Sequence, residues 1–351
     1  MALGTKRSIG IDFLRFICAF FIICIHTTFT GKAIILPLTR TAVPVFFMIT
    51  GYFYTEVEIT NRKNIQIKKI LRLTFVSAIM YITWDIISAF FISNLPFEPA
   101  LFVQFAAVRL DYLFFKSPEA WFNYLLFNEP PFSTHLWYLS AMLYVLLIIA
   151  AFSRFIGRRY LYFLIPLLLS VSFLLDTYSE IILNKTFPIM IHRNFVFRGL
   201  PFFLLGDLIQ KKENRKKIST QKLYLLFICS ITLIYLEHYY IVKKGGSQNS
   251  EIYLGIILLS VVLLLLAERN LPIFSRKPVK ILAEWGNKYS SGIYITHMFL
   301  IGAIKIFANK LTPLNSNNYL CEILTTPIFV LIFNLLMLSV WNRIKSGIKR
   351  K

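Results

Sequence analysis

Charge is scarce in this sequence, and acidic charge scarcest. Only 16% of the 351 residues are Asp, Glu, Lys or Arg, and Asp plus Glu number 17. Globular domains run about 25% charged and about 45–50% apolar, whereas 57% of this chain is hydrophobic. No single soluble core hides that much apolar surface, so a soluble globular enzyme is excluded. A disordered chain is excluded too, since its signature is the reverse. Glycine and proline stand at 14 each, too few for a collagen-like or low-complexity chain. The four cysteines, Cys18, Cys24, Cys229 and Cys321, lie inside apolar runs at no metal-like spacing. They read as small hydrophobes, not as a disulfide frame or zinc ligands, and no metal is expected.

What is abundant is long apolar runs. A membrane-crossing helix needs about 20 mostly apolar residues. Ten candidate spans stand out: 10–30, 41–55, 70–93, 136–153, 160–176, 196–210, 223–242, 252–267, 288–308 and 321–342. The chain has no ten-residue apolar/polar alternation, which argues against a β-barrel. The expected fold is an all-α integral membrane bundle of about ten helices. One membrane domain is expected to fill residues 1–351, with no soluble domain attached. The first span does not read as a cleaved signal peptide: Arg15 and His26 fall within it, and no small-residue cleavage site follows.

Lys plus Arg number 38, giving a net charge of +21. In a soluble protein this would point to nucleic acid; between spans it marks loops on one side of a bilayer, and no nucleic-acid partner is expected. With the N-terminus in the cytoplasm, 26 of these residues fall on the cytoplasmic side and 11 on the other, with Arg15 inside the first span. The bias exceeds two to one and predicts both termini inside. Residues 343–351 form a basic tail. The longest outer segment, 94–135, is rich in aromatics. It fits an amphipathic helix lying in the outer interface of the membrane, a re-entrant hairpin, or a loop packed on the bundle.

Polar residues at membrane depth are costly and mark pathways or sites. The first span carries Asp12, Arg15 and His26. Eleven residues separate Arg15 from His26, about three helical turns plus 20°, so both share a face about 16 Å apart. A cation near one end suits phosphate, and an imidazole further along suits proton or acyl chemistry. Snorkelling by Arg15 and a structural hydrogen bond from His26 fit the same spacing.

These residues open a series of motifs. Arg7, then Asp12-x-x-Arg15, then ten residues and His26, resembles the leading motif of the membrane-bound acyltransferase-3 family of bacterial O-acyltransferases. VPVFFMITGYFY (Val43 to Tyr54) resembles its second-span signature, with Thr50 where serine is usual. HLWYLSAMLY (His135 to Tyr144), GLPFFLLGDLI (Gly199 to Ile209) and SSGIYITHMFLI (Ser290 to Ile301) are similar to its later segments. The five motifs occur in order and cover most of the chain.

The resemblance implies a multi-pass protein of the bacterial inner membrane. Its donor would be a cytoplasmic acyl-CoA, usually acetyl-CoA, and its acceptor a hydroxyl of a surface polysaccharide or lipid-linked glycan. The family's Arg-x10-His falls on Arg15 and His26. Its Arg-x-x-Arg pair falls on Lys69 and Arg72; lysine keeps the charge but loses the bidentate fork. Arg15, Lys69 and Arg72 would hold the CoA phosphates. His26 would act as general base or carry the acyl group itself.

Asp85, about 21 Å into the third span, is the expected partner orienting His26; bonding to Tyr or Trp neighbours is the other reading. Arg40, His135, Trp137, Arg198 and His297 are candidates for the acceptor. Trp137 suits sugar stacking or an interfacial belt, His297 a site or helix packing, and Arg40 and Arg198 an acidic glycan or a helix anchor. Lipid surrounds the chain, and a second copy or a glycan-assembly partner is compatible with it. A second function stays open: a transporter of a small amino acid, as in racemase-associated membrane domains. Buried His, Arg and Asp suit proton-coupled export.

Overall fold

The computed structural model describes residues 8–59, 63–93, 95–96, 98–152, 158–211, 218–269, 271–311 and 319–348. The basic residues Lys6, Arg7, Arg62 and Arg154, residues 212–217, Asn94 at the start of the aromatic segment, and residues 349–351 of the tail lie outside them.

Every regular element among the described residues is helical. The main helices are α1 (Ile9–His26), α2 (Lys32–Thr39), α3 (Ala42–Ile59), α4 (Lys63–Ile92), α5 (Pro99–Phe115), α6 (Pro118–Phe127) and α7 (Trp137–Phe152). There follow α8 (Leu164–Leu175), α9 (Leu200–Gln210), α10 (Thr220–Lys243), α11 (Leu254–Glu268), α12 (Lys277–Leu311) and α13 (Pro327–Ile348). Among the described residues, seven stretches are long and apolar enough to cross a membrane. They are α1, α4, α7, α10, α12, α13 and the run Lys32–Tyr54 through α2 and α3. The expected spans at 160–176, 196–210 and 252–267 correspond to helices of 12, 11 and 15 residues. At 1.5 Å per residue each is shorter than a 30 Å hydrocarbon core.

α1 begins where Ser8 Oγ accepts from Ile11 N at 3.3 Å and donates to Ala267 O at 3.2 Å. It stops at His26, four residues before the end of the expected span. Thr27 turns extended (φ −103°, ψ 162°), and its Oγ returns a 2.9 Å hydrogen bond to Ile23 O. His26 is therefore the last residue of its helix.

α1 lies along α12, α3 lies along α9, and α10 lies along α11. Small residues set these crossings, because backbones approach closely only where no Cβ intervenes. A Cβ on Gly51 would sit 1.9 Å from Phe203 O, and one on Gly206 1.9 Å from Met48 O. The two glycines thus lock α3 and α9 from both sides. Gly286 does the same for α12 and α1, where a Cβ would meet Asp12 O at 2.0 Å. Apolar residues on the outward faces are exposed, such as Phe75 on α4 and Leu336 on α13. In water a surface of this kind would be an aggregation liability; against lipid it is the expected outer face.

Within the aromatic segment, α5 and α6 meet at a bend at Lys116 and Ser117. Trp121 Nε1 donates to Leu113 O at 2.8 Å across the bend, and the rings of Phe114 and Trp121 stack at 5.5 Å. Neither α5 nor α6 has a buried residue.

Candidate active site

At the end of α1, three histidines from three parts of the chain converge. The ring of His26 lies 5.0 Å from that of His297 on α12 and 6.3 Å from that of His135, just before α7. His135 and His297 are 5.2 Å apart. The Nδ1 of His297 faces Ile293 O at 3.1 Å and Tyr294 O at 2.8 Å. A carbonyl only accepts, so Nδ1 carries the proton and the neutral ring presents Nε2 as a lone pair. The Nε2 atoms of His297 and His135 are buried with no hydrogen-bond partner among the described residues. His135 is braced by Ser133 Oγ at Nδ1 (2.7 Å), by Tyr294 Oη donating to its carbonyl (2.5 Å), and by the Tyr81 ring at 4.7 Å.

His26 and His135 open onto a cavity of about 630 Å³, counted to its mouth. Its walls combine the apolar Ile22, Phe47 and Phe202 with the charged Arg40, Arg193, Arg198 and Glu251. The arginines are held from behind. Arg40 Nη1 donates to Glu251 at 3.2 Å, Arg193 Nη1 to the same carboxylate at 3.4 Å, and Arg198 Nη2 to Asp176 at 2.5 Å. A π-helical turn, Phe195–Gly199, carries Arg198. Asn194 Oδ1 caps it by accepting from Val196 N and Phe197 N, and Asn128 Oδ1 accepts from Phe195 N. Burial pushes the Glu251 carboxyl up, but Arg193 and Arg40 outweigh it and hold the group below its ordinary value of 4.5. Burial likewise lowers the nearby His192, against the pull of Asp176.

A second cavity, about 1030 Å³ to its mouth, lies further back along α1. It is the more polar one: Arg15, Lys69, Gln66, Asn287 and Ser290 line it. Arg15 is held by Asp12 at 2.8 Å and lies over the Phe53 ring at 5.5 Å. Tyr294 belongs to the walls of both cavities, with Tyr138 packed against it at 5.4 Å. The two spaces are thus stacked along α1 with an aromatic partition between them.

The structure brings His26, His135, Trp137, Arg40 and Arg198 to one cavity, with His297 against it, and Arg15 and Lys69 to the other. Arg72 is exposed and is not among the residues lining either. Trp137 has one face covered by Arg193, at 5.6 Å. Asp85, expected beside His26, is placed elsewhere: both its oxygens accept from Arg109, at 2.6 to 3.2 Å, and its side chain is half exposed. The expectation rested on depth alone, and a helix face turned toward α5 defeats it. Sequence reasoning missed Arg193, Glu251 and Asp176, which lie in short connections where charge reads as solvated. It also missed Tyr294 as a partition, although that residue stands one helical turn before His297 within a recognised motif.

The profile of the acyltransferase-3 family, described as an acyltransferase domain, matches residues 8–341. The chain therefore belongs to this family. It is 24% identical over 349 residues to a serine/alanine racemase of Enterococcus gallinarum, covering 92% of this chain and 45% of that one. It is 26% identical over 265 residues to an amino-acid racemase of Enterococcus faecalis, covering 68% of this chain and 33% of that one. The chain thus spans less than half the length of these curated relatives. No solved structure matches it.

Proposed function

We propose that the protein is a transmembrane O-acetyltransferase of the bacterial inner membrane, with both termini in the cytoplasm. It would take acetyl from cytoplasmic acetyl-CoA and deliver it to a hydroxyl of a surface polysaccharide or lipid-linked glycan. The observation that carries this reading is the pair of cavities stacked along α1, Arg15 in one and His26 in the other, with Tyr294 in the wall of both. Arg15 and Lys69 suit the phosphates of the donor, since charge-assisted hydrogen bonds from arginine are strong and directional. The pantetheine arm would pass Tyr294 and bring the thioester carbonyl to His26. His26 takes the proton of the acceptor hydroxyl as its oxygen bonds to the carbonyl carbon. The C–S bond breaks, and the leaving thiolate receives that proton from His26. The ring of His297, 5.0 Å from that of His26 with Nε2 unpartnered among the described residues, supports a site in which a neutral imidazole neighbours the proton-carrying one.

The test uses purified protein in proteoliposomes, acetyl-labelled acetyl-CoA and glycolipid extracted from membranes. Label in the glycolipid fraction, dependent on protein, is the expected result. A second reading is favoured by one observation: both curated relatives above are named as racemases of amino acids. On it, the bundle moves a small amino acid. Serine or alanine counterflow without label transfer would select that reading.

A further inference from the structure

The cavity that holds His26 is walled by three arginines, each already in an ion pair: Arg40 and Arg193 share Glu251, Arg193 also meets Glu129 at 3.9 Å, and Arg198 holds Asp176. Arg40, Arg193 and Arg198 line it, and Glu251 is the acidic residue in the same wall. Asp176, which pairs with Arg198, is not among the lining residues. It is committed further, accepting from Glu251 N at 3.0 Å. Arg40 spends Nη1 on Glu251 and Nη2 on the carbonyl of Asn249, at 3.4 Å. Its Nε is buried and has no acceptor among the described residues, and the same holds for Arg198 Nε. Arg198 is 5% exposed. A buried donor left unsatisfied carries its full desolvation penalty, and such a group in a folded protein calls for a missing partner.

From this we infer that the His26 cavity contains an oxyanion subsite, formed by Arg40 and Arg198 and flanked by Arg193, that binds a phosphate or carboxylate group of the acceptor. The inference rests on the acceptor occupying this cavity, as proposed above. Two features make the arrangement a built receptor. The carboxylates of Glu251 and Asp176 pin the arginines, so little side-chain entropy is lost when an anion arrives. The guanidinium is the side chain whose planar fork matches carboxylate and phosphate oxygens. The apolar residues around it, Ile22, Phe47 and Phe202, exclude water and strengthen each charge-assisted bond. The subsite would fix the acceptor so that a neighbouring hydroxyl faces His26. It would also disfavour neutral glycans, which leave the arginine donors unpaired.

Binding is measured without any acyl donor, so its outcome is independent of whether acyl transfer occurs. Purified protein in detergent is titrated with inorganic pyrophosphate in one arm and glucuronate in the other, with glucose as the neutral comparison. Both arms are run on wild type, Arg40→Gln and Arg198→Lys. Arg198→Lys keeps the charge opposite Asp176 while removing Nε, so it leaves no buried carboxylate unpaired. Arg40→Gln leaves Glu251 still paired with Arg193. Reading the difference between wild type and variant cancels any anion held by Arg15 and Lys69. The expected result is binding of at least one anion, weakened about tenfold or more in both variants, and no binding of glucose. Pyrophosphate alone identifies a lipid-carrier phosphate as the anion, and glucuronate alone an acidic sugar. Melting curves establish that each variant is folded; if Arg198→Lys is not, Arg40→Gln decides alone. Equal anion binding by wild type and a folded variant, or no anion binding by wild type, overturns the subsite. Neither result bears on acyl transfer to a neutral acceptor.

Discussion

The imidazole rings of His26 and His297 stand 5.0 Å apart, on two helices that run along one another. The one at the end of α1 is free to face the cavity. The other is fixed by its own helix, because Nδ1 is committed to the carbonyls of Ile293 and Tyr294. The ring of His297 packs against His26, and on the proposed mechanism His297→Ala is expected to slow acyl transfer about tenfold, the size of a contact worth about 1–1.5 kcal/mol. Initial rates with thiol release as readout check this; an unchanged rate would leave His297 with helix packing alone.

Tyr294 lies in the walls of both the Arg15 cavity and the His26 cavity and donates to His135 O. Tyr294→Phe keeps the partition and loses one hydrogen bond, about 1 kcal/mol, so it should retain most of the rate. Tyr294→Ala removes the partition. Transfer to the acceptor should fall while acceptor-independent thioester hydrolysis rises, because water then reaches the donor. Thiol release measured with and without glycolipid separates the two.

The α3–α9 crossing depends on two glycines. Gly51→Ala or Gly206→Ala places a methyl within 1.9 Å of a carbonyl oxygen of the facing helix. Each should cost about 1–3 kcal/mol through forced backbone shifts, seen as a lower melting temperature in detergent. Gly347→Ala is the control: a Cβ there meets nothing within 4 Å, and alanine is the better helix former.

Acid should unfold the protein through the network behind the arginines. His192 has a folded value below its ordinary 6.5, so the unfolded chain binds the proton first and stability falls as pH drops through 6.5. Glu251 has a folded value below its ordinary 4.5. Its ion pairs contribute fully above 4.5 and are lost as pH falls through the folded value. The melting temperature should therefore decline in two stages on acidification. His192→Gln should flatten the upper stage and Glu251→Gln the lower.

Helix positions were legible in the sequence because apolar run length alone reports them: each of the ten expected spans overlaps a helix, though seven stretches among the described residues are long and apolar enough to cross a membrane. Crossing length was less legible. The runs at 160–176 and 196–210 are apolar enough, but Pro201 at the start of α9 and the π-helical turn before it shorten the regular helix. For the site, Arg15 and His26 were legible because eleven residues of helix fix their geometry with no tertiary information. Asp85 misled because depth along a helix does not state which face a residue takes; Arg109, 24 residues away, decided that. Arg193 and Glu251 were invisible because their meeting bridges 58 residues of chain, and no local pattern encodes such a contact.

The central claim is that His26 carries acyl transfer between the two cavities. The direct measurement is thiol release from acetyl-CoA, with membrane glycolipid supplied, by wild type and by His26→Ala purified in the same detergent. The account predicts release by wild type and a loss of about 10²–10⁴-fold in the variant, with matching melting curves. Equal thiol release by a folded His26→Ala protein would contradict it.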